Sequence, residues 1–532
     1  MNPIELSLFA SRLEAVCDEM GAVLRNAAFS PNIRDRLDFS CALFDARGDL
    51  CAQAAHIPVH LGSMAFAMAG LVARMDWADG DMVVLNDPFL GGTHLPDVTV
   101  VAPVFAPGRD GPELAAFVVN RAHHADIGAS APGSMPVSRS IHEEGLVIEP
   151  THLIRAHALD EVRLEAITGA TRNPADARGD FFAQISANRA GSRRLSELIG
   201  RKGLAAFREG LAALDVYGER LARSAIGAIP AGDYGFEDWM DDDGQGNREI
   251  RIRVALRVGA DGSAHVDFAG TALQVAGNIN CPVAVAAAAV LYVFRCLMPP
   301  QTPACAGTFR PVTLSAPEGC LLNARYPAAV AAGNVETSTR VVDAVMGALA
   351  RALPGRMPAA SHGSMNNLAL GSAKPGAAWD YYETIGGGMG AGASGGGLSG
   401  VQTHMTNTLN TPVEVLEARY PVRISRYALR RGSGGAGRRP GGDGLVRELT
   451  FLAPAQVSLL TERRIHSPWG AEGGAPGAPG RNLLNDLELP GKATLSVAAG
   501  DRLRIETPGG GGYGAAEGTE ESAPSAGSAA PV

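Results

Sequence analysis

A multi-unit α+β fold is predicted, with an N-terminal α/β part, a central helical region and a β-rich C-terminal part. Three observations predict it. Helical periodicity and alternating strand patterns are mixed through the first 160 residues. Residues 160–228 read as mostly helical. Beyond residue 230 the pattern turns to strands, most densely over 421–514. At 532 residues the chain is long enough for two or more units and a large buried core. The expected division is 1–230, 231–420 and 421–514, followed by a small, polar, disordered tail at 515–532.

The elements follow in order. Residues 3–26 form an amphipathic helix: Leu6, Phe9, Leu13, Val16, Met20 and Val23 recur at steps of three and four, behind Asn2 as cap and Pro3 at the first helical position. Phe39 to Phe44 alternates like a strand, Asp45 to Gly48 turns, and Leu50 to Ala52 returns. In HIPVH, Pro58 argues against a helical His56/His60 pair, so these two line a site or serve the scaffold. A helix over 65–76 and a strand over Asp81–Leu85 lead into a turn-rich loop, Asn86 to Pro96. Val98 to Phe105 and Ala115 to Val119 read as buried strands.

If those two strands pair as neighbours, the strand-entry residues His94 and Asp97 meet the strand-exit residues His123, His124 and Asp126. Two imidazoles with carboxylates at one sheet end are the usual ligands of zinc, manganese or iron(II). Glu143 and Glu144 follow as candidate general acids or bases, against the plain alternative of two surface glutamates. Gln184 and Asn188 lie one helical turn apart, and a structural role suits them. Leu204 to Ile226 is a second amphipathic helix. Asp241 to Asp243 lacks the spacing of a calcium loop and reads as a turn before a hairpin over 250–268. Helices are expected at Val283–Leu297 and Thr337–Leu349. The Gly-Asn-Val-Glu loop ahead of the latter could bind an anion or a carbonyl through free backbone N–H groups. His362, Glu383, His404 and Asn407 are the remaining polar candidates, and strands are expected at Leu445–Leu452 and Gln456–Thr461.

A net charge of −9 without a long basic run argues against nucleic acid as the main partner. Seven cysteines with no C-x-x-C pair exclude a thiolate zinc finger and point to reduced thiols in the cytoplasm. The first residues lack the basic and apolar regions of a signal peptide, and Val283–Phe294 is too short to span a bilayer. A soluble cytoplasmic protein is expected. No G-x-x-x-x-G-K-[ST] phosphate loop occurs, so the chain carries no obvious nucleotide site.

Several long stretches are recognisable: DFSCALFD, NDPFLGGTHLPDVTVVAPVF, RAHHADIGASAPGSMP, IHEEGLVIEP, TRNPADARGDFFAQISANRAGSRRLSELIGRKG, GGGMGAGASGGGLSGVQTHMTNTLNTPVEVLE and TPGGGGYG. Over roughly 1–514 the chain resembles the hydantoinase B/5-oxoprolinase family, which also includes the acetone carboxylase alpha subunit. The resemblance implies one divalent metal ion (zinc, manganese or iron) on Asp38, His94, Asp97 and His123. His123 is preferred to His124 because the carboxylase branch keeps only the first of that pair. His124 and Asp126 would then support the ligands or shuttle protons, with Glu143 as a further acid or base.

The resemblance also implies a hetero-oligomer with a hydantoinase A-like ATPase of the actin/hexokinase type, which holds ATP and magnesium. That partner would phosphorylate the carbonyl of a hydantoin, 5-oxoproline or other lactam, and the metal-bearing subunit would add water and open the ring. Two alternatives stand beside this one: an acetone-carboxylase-like alpha subunit, and a non-catalytic, metal-stabilised scaffold for the ATPase.

Overall fold

The computed structural model describes residues 1–516 except Ala55, Leu61, Arg109, Asp110, Pro375 and Ala377, so the expected tail lies outside the described residues from 517 onward. The fold is mixed α and β, as predicted. The first helix, α1 (Pro3–Ala27), carries a full capping box. The Asn2 side chain accepts from the Glu5 N–H at 2.9 Å, and Glu5 accepts from the Asn2 N–H at 3.0 Å.

A seven-stranded antiparallel sheet follows. Its strands are β1 (Phe39–Asp45), β2 (Leu50–Gln53), β3 (Met82–Leu85), β4 (Asp97–Pro107), β5 (Pro112–His123), β6 (Thr151–Arg155) and β7 (Ala158–Leu159), in the spatial order β2-β1-β5-β4-β3-β6-β7. Both faces are covered, which explains the nearly continuous apolar runs of β4 and β5. On one face Val98, Val100 and Val118 pack against Phe9, Leu13 and Met20 of α1 and against Phe181 and Ile185. On the other, Val101, Phe117 and Val119 meet Met64, Met68 and Leu71 of α2 (Ser63–Leu71). That helix ends earlier than predicted; the chain breaks into turns after it, and Trp77 Nε1 donates to the Val72 carbonyl at 3.1 Å.

Phe181 and Ile185 belong to α3 (Pro174–Lys202), which precedes α4 (Leu204–Ile226). Gln184 and Asn188 dock α3 on the sheet. Gln184 Nε2 donates to the Val98 carbonyl and Asn188 Nδ2 to the Val100 carbonyl, both at 2.9 Å. Helix amides thus reach main-chain oxygens of β4, the structural role expected of them.

The next sheet holds β8 (Gly232–Asp242), β9 (Arg248–Val258), β10 (Ala264–Asp267) and β11 (Val312–Ser315), covered by α5 (Val283–Leu297) and α6 (Ser338–Ala352). The predicted turn at Asp241–Asp243 falls later: Asp241 and Asp242 end β8 and the turn follows them. Asp241 is held in place because its carboxylate accepts the N–H groups of Arg464, Ile465 and His466 at 2.6, 3.1 and 3.0 Å.

Two further sheets enclose a third core. One contains β12 (Asn367–Ser372) and β13 (Trp379–Glu383). With them are strands over Ala455–Leu460 and Lys492–Val497, so the sheet draws from both sides of residue 420. The other takes Val422–Arg430, Gly444–Phe451, Arg502–Glu506 and a hairpin at 481–489. Beside them, three glycine-rich segments interlock largely through main chain. Gly442 N–H donates to Met389 O, Gly435 N–H to Gly510 O and Ala391 N–H to Gly511 O, at 2.9, 2.8 and 2.9 Å. A Cβ on Gly442 or Gly510 would collide with neighbouring backbone.

Buried ion pairs tie the C-terminal sheets to β8 and α6. Lys492 Nζ lies 2.6 Å from Glu462, which also receives Arg340 at 3.3 Å; Arg463 meets Asp238 at 2.8 Å and Asp343 at 2.6 Å. Removing one member leaves a buried charge uncompensated. Lys492→Met is therefore expected to destabilise the protein by about 3–5 kcal/mol in urea titrations, whereas an exposed-lysine control should change little.

Candidate metal centre

The pairing of β4 with β5 sets Asp97 directly opposite His123. His94, three residues ahead in the turn that enters β4, completes the group. The ligand atoms of His94, Asp97 and His123 all lie within 4.8 Å of one another, and all three residues are buried. His94 Nε2 is 3.4 Å from Asp97 Oδ2, and so is His60 Nε2. The Thr93 hydroxyl donates to the same oxygen, and Asn334 Nδ2 approaches it at 3.4 Å.

The ring nitrogens are presented in a consistent way. His94 Nδ1 faces the Ala331 carbonyl at 3.3 Å, and His123 Nδ1 faces the His124 carbonyl at 2.9 Å. A carbonyl only accepts, so the Ala331 carbonyl favours a hydrogen on His94 Nδ1; His123 Nδ1 lies between the His124 carbonyl and, at 3.2 Å, the Asn32 amide nitrogen, a donor. His94 Nε2, His123 Nε2 and Asp97 Oδ1 are buried and have no hydrogen-bond partner. Unpaired polar atoms on three buried residues grouped this closely are costly unless something such as a cation satisfies them. This donor set fits a zinc, manganese or iron ion.

The electrostatics divide the two imidazoles: His123 is held neutral, whereas His94 is drawn toward its protonated form. Burial, and then the neighbouring His94, hold His123 well below the usual imidazole range, so it stays neutral. Burial alone would raise Asp97, but the imidazoles of His94 and His60 outweigh it and keep the carboxylate ionised. For His94, burial is outweighed by Asp97 and Asp38, which raise it.

The fourth expected ligand, Asp38, stands in the wall of the same small cavity, of about 20 Å³, which His60, Asn334 and Tyr382 also line. Its carboxylate is not part of the converging group; Oδ2 lies 3.7 Å from the Arg36 guanidinium. His124 points away. Strand alternation sends it to the other face, where Nε2 lies 3.0 Å from Gln184 Oε1 and the ring packs on Phe181. Asp126 is fully engaged, accepting from the Gly128 N–H, the Ser134 hydroxyl and Arg172.

Glu143 does not reach the site. It is exposed and accepts the Arg139 N–H at 3.1 Å. The short 3₁₀ turn Ile141–Glu143 turns its neighbour inward instead. Glu144 is fully buried and accepts from Ser138 Oγ, Val330 N–H and Ala331 N–H at 2.7, 2.9 and 3.0 Å. Burial pushes Glu144 up to about 7, and its Oε2 has no partner.

Other contributors come from distant segments. Tyr382 stacks on His123, with ring centroids 4.8 Å apart and planes 3° from parallel, and the Arg36 guanidinium lies over Tyr382 at 4.8 Å. Asn334 belongs to a π-helical turn, Gly333–Thr337, ahead of α6. Gly333 is required there because a Cβ would run into the Asn280 carbonyl. The Gly-Asn-Val-Glu segment does meet an anion, but through the Asn334 side chain and not through free backbone N–H groups; that anion is Asp97. Its neighbour Glu336 is buried and pushed up to about 8, first by burial and then by Glu462. Glu383 serves an ion pair with Arg447 at 3.1 Å.

Comparison with known proteins gives a consistent picture. The family model for "Hydantoinase B/oxoprolinase" matches residues 2–516. 5-Oxoprolinase 1 of Arabidopsis thaliana is 41% identical over 96% of this chain, which spans only 42% of that longer protein. The crystal structure of an ATP-dependent caprolactamase from Pseudomonas jessenii superposes with a TM-score of 0.89 at 29% identity, covering 97% of this chain and 91% of that one. A nucleotide-free acetone carboxylase shares the fold at a TM-score of 0.83 and 18% identity, over 96% of this chain and 76% of that one.

Two outcomes are expected. Elemental analysis should find about one divalent ion per chain in the wild type. The Asp97→Ala, His123→Ala double variant should lose it, and His124→Asn should keep it. The second concerns Asp380, which shares Arg172 with Asp126; burial, and then Asp126, push it up to about 7. The folded state holds that proton more tightly than the unfolded chain, so this contribution is greatest below the ordinary carboxylate pKa. It is lost as pH rises toward about 7. Urea midpoints of Asp380→Asn should accordingly vary less than those of the wild type between pH of about 4 and about 7.

Proposed function

The chain belongs to the hydantoinase B/oxoprolinase family, and from that premise we propose that it is the metal-bearing, ring-opening component of an ATP-dependent cyclic amide hydrolase. The observation that carries this reading is the grouping of His94, Asp97 and His123 by their ligand atoms, with a buried, unpaired polar atom left on each of the three. The substrate class is a small lactam such as 5-oxoproline or a hydantoin. A neutral lactam is a poor electrophile, so an ATPase partner of the actin/hexokinase type, holding ATP and magnesium, first phosphorylates the carbonyl oxygen. Similarity to an ATP-dependent caprolactamase supports this reading. So does the greater length of the matched 5-oxoprolinase, which leaves room for an activating part beyond the segment shared with this chain.

When bound, the divalent ion would supply a Lewis acid and lower the pKa of a coordinated water. The chain's own residues do the rest. The Ala331 and His124 carbonyls and the Asn32 amide orient the rings of His94 and His123, and the Tyr382 ring holds the His123 plane. Asp38 lines the same cavity as Asp97 and His123. Glu144, raised toward neutrality with one free oxygen, is suited to exchange a proton during ring opening. It takes the role first expected of Glu143. His124 and Asp126 anchor the scaffold. The neighbouring cavity of about 20 Å³ has room for about one water, which favours a catalytic centre over a closed, purely structural one.

The test is reconstitution with a family ATPase subunit and measurement of ring opening alongside ADP release. His94→Ala should lower ring opening by at least about a hundredfold with the fold intact. Full turnover in a metal-free His94→Ala protein would overturn the proposal. Glu144→Gln should depress turnover and remove a pH dependence centred near the value of about 7 set by burial.

A further inference from the structure

Glu336 stands behind the metal cavity, yet several parts of the cavity wall are fastened to it. The residue is fully buried in the π-turn Gly333–Thr337. Two residues earlier in that turn, Asn334 Nδ2 approaches Asp97 Oδ2 at 3.4 Å, and Val335 lines the cavity. Glu336 Oε1 accepts two hydrogen bonds from the start of β12: the Met365 N–H at 2.9 Å and Asn367 Nδ2 at 2.7 Å. Met365 is itself part of the cavity wall. Asn367 Nδ2 also donates to the Leu460 carbonyl at 2.7 Å. Both of its hydrogens are thus spent, and Oδ1 turns to accept the Tyr382 hydroxyl at 2.7 Å. The Tyr382 ring lies on His123, with centroids 4.8 Å apart and planes 3° from parallel. An unbroken path of contacts runs from Glu336 through Asn367 and Tyr382 to one candidate ligand, and the turn that carries Glu336 reaches another.

We propose that Glu336 is a positioning residue for the metal centre: as a shared acceptor it fixes the Tyr382 ring and thereby the plane of His123, while its own turn sets Asn334 against Asp97. The inference rests on the metal-centre reading above. A buried acceptor that serves two donors cannot be lost without leaving an N–H of each unpaired, so the network has one favoured arrangement. The Asn367 amide then faces one way only, and the Tyr382 hydroxyl has a fixed anchor. Burial, and then Glu462, push the Glu336 carboxyl up to about 8, so near neutral pH it acts through hydrogen bonds and not through charge. Contacts that orient a ligating histidine alter metal affinity by roughly ten- to a hundredfold.

Cobalt(II) is the probe, because its visible absorption bands report the arrangement of the ligands around it. Metal-free full-length protein is titrated with cobalt(II) for wild type, Glu336→Gln, Glu336→Ala and Tyr382→Phe. Glu336→Gln keeps the acceptor oxygen and should bind within about threefold of wild type, with unchanged bands. Glu336→Ala and Tyr382→Phe should each bind about tenfold more weakly, with shifted bands. Leu503→Ala opens a gap in the third core; it controls for destabilisation alone and should keep the wild-type spectrum. Should Glu336→Ala fail to fold, Tyr382→Phe tests the same path by losing a single oxygen. Wild-type affinity and bands in a folded Glu336→Ala or in Tyr382→Phe would overturn the inference while the metal centre stands. So would a Glu336→Gln protein as weak as Glu336→Ala. No cobalt uptake by wild type would overturn both.

Discussion

The registration of β4 on β5 is the constraint on which the rest depends. With Asp97 opposite His123, the loop carrying His94 folds over both and three ligand atoms converge. A slip of one residue would bring His124 to that face and send His123 into the helical layer. The fold opposes such a slip from several directions. On its other edge β5 pairs with β1 through Phe39 and Ala122. Across the sheet, Asn120 exchanges amide hydrogen bonds with Gln184 and Asn188, which also hold main-chain oxygens of β4. These amides cost desolvation and give no apolar contact; what they specify is position.

Around that register the charges are arranged so that a dry pocket can hold ligands in the right protonation state. His123 is neutral because it is buried, and Asp97 is ionised because two imidazoles stand beside it. Neither state follows from residue type alone. Glu144 sits behind the same wall; its hydrogen bonds to the Val330 and Ala331 N–H groups fix the segment whose carbonyl orients His94. One carboxylate thereby supports ligand geometry and holds a proton near neutral pH. More distant buried pairs, such as Glu462 with Arg340 and Arg463 with Asp343, fasten the C-terminal sheets to the unit that carries the π-turn. The Asn334 contact with Asp97 depends on that attachment.

Much of this was legible in the chain, for identifiable reasons. α1, the β1–β2 hairpin, β4 and α4 have strong periodicity or marked turns and lie close to their predicted bounds, while β5 runs past Ala115–Val119 at both ends. The grouping of His94 and Asp97 with His123 follows from assuming that two adjacent buried strands pair. Choosing between His123 and His124 needed either the family resemblance or the actual register. Glu143 and Glu144 were indistinguishable because the phase of a single 3₁₀ turn decides which one faces inward, and no periodicity marks that phase. Tyr382 and Asn334 contribute from more than two hundred residues away, beyond the reach of local pattern. Strands 367–372 and 455–460 pair although a division was expected between them, since a glycine-rich stretch reads the same as a linker or as packed main chain.

The interlocked glycine segments carry a consequence for biosynthesis. The three strips around 386–400, 432–444 and 509–514 have hardly any side chains with which to hold a partial structure, and each strip's hydrogen bonds are completed by the others. As the polypeptide leaves the ribosome, the first two strips must wait solvated until residues near 510 have emerged. The loop bearing Met405 and Thr406 lies between the first two strips, so one wall of the metal cavity is among the last parts to be set. A nascent chain can therefore assemble the β4–β5 ligands early yet has a finished pocket only near the end of translation.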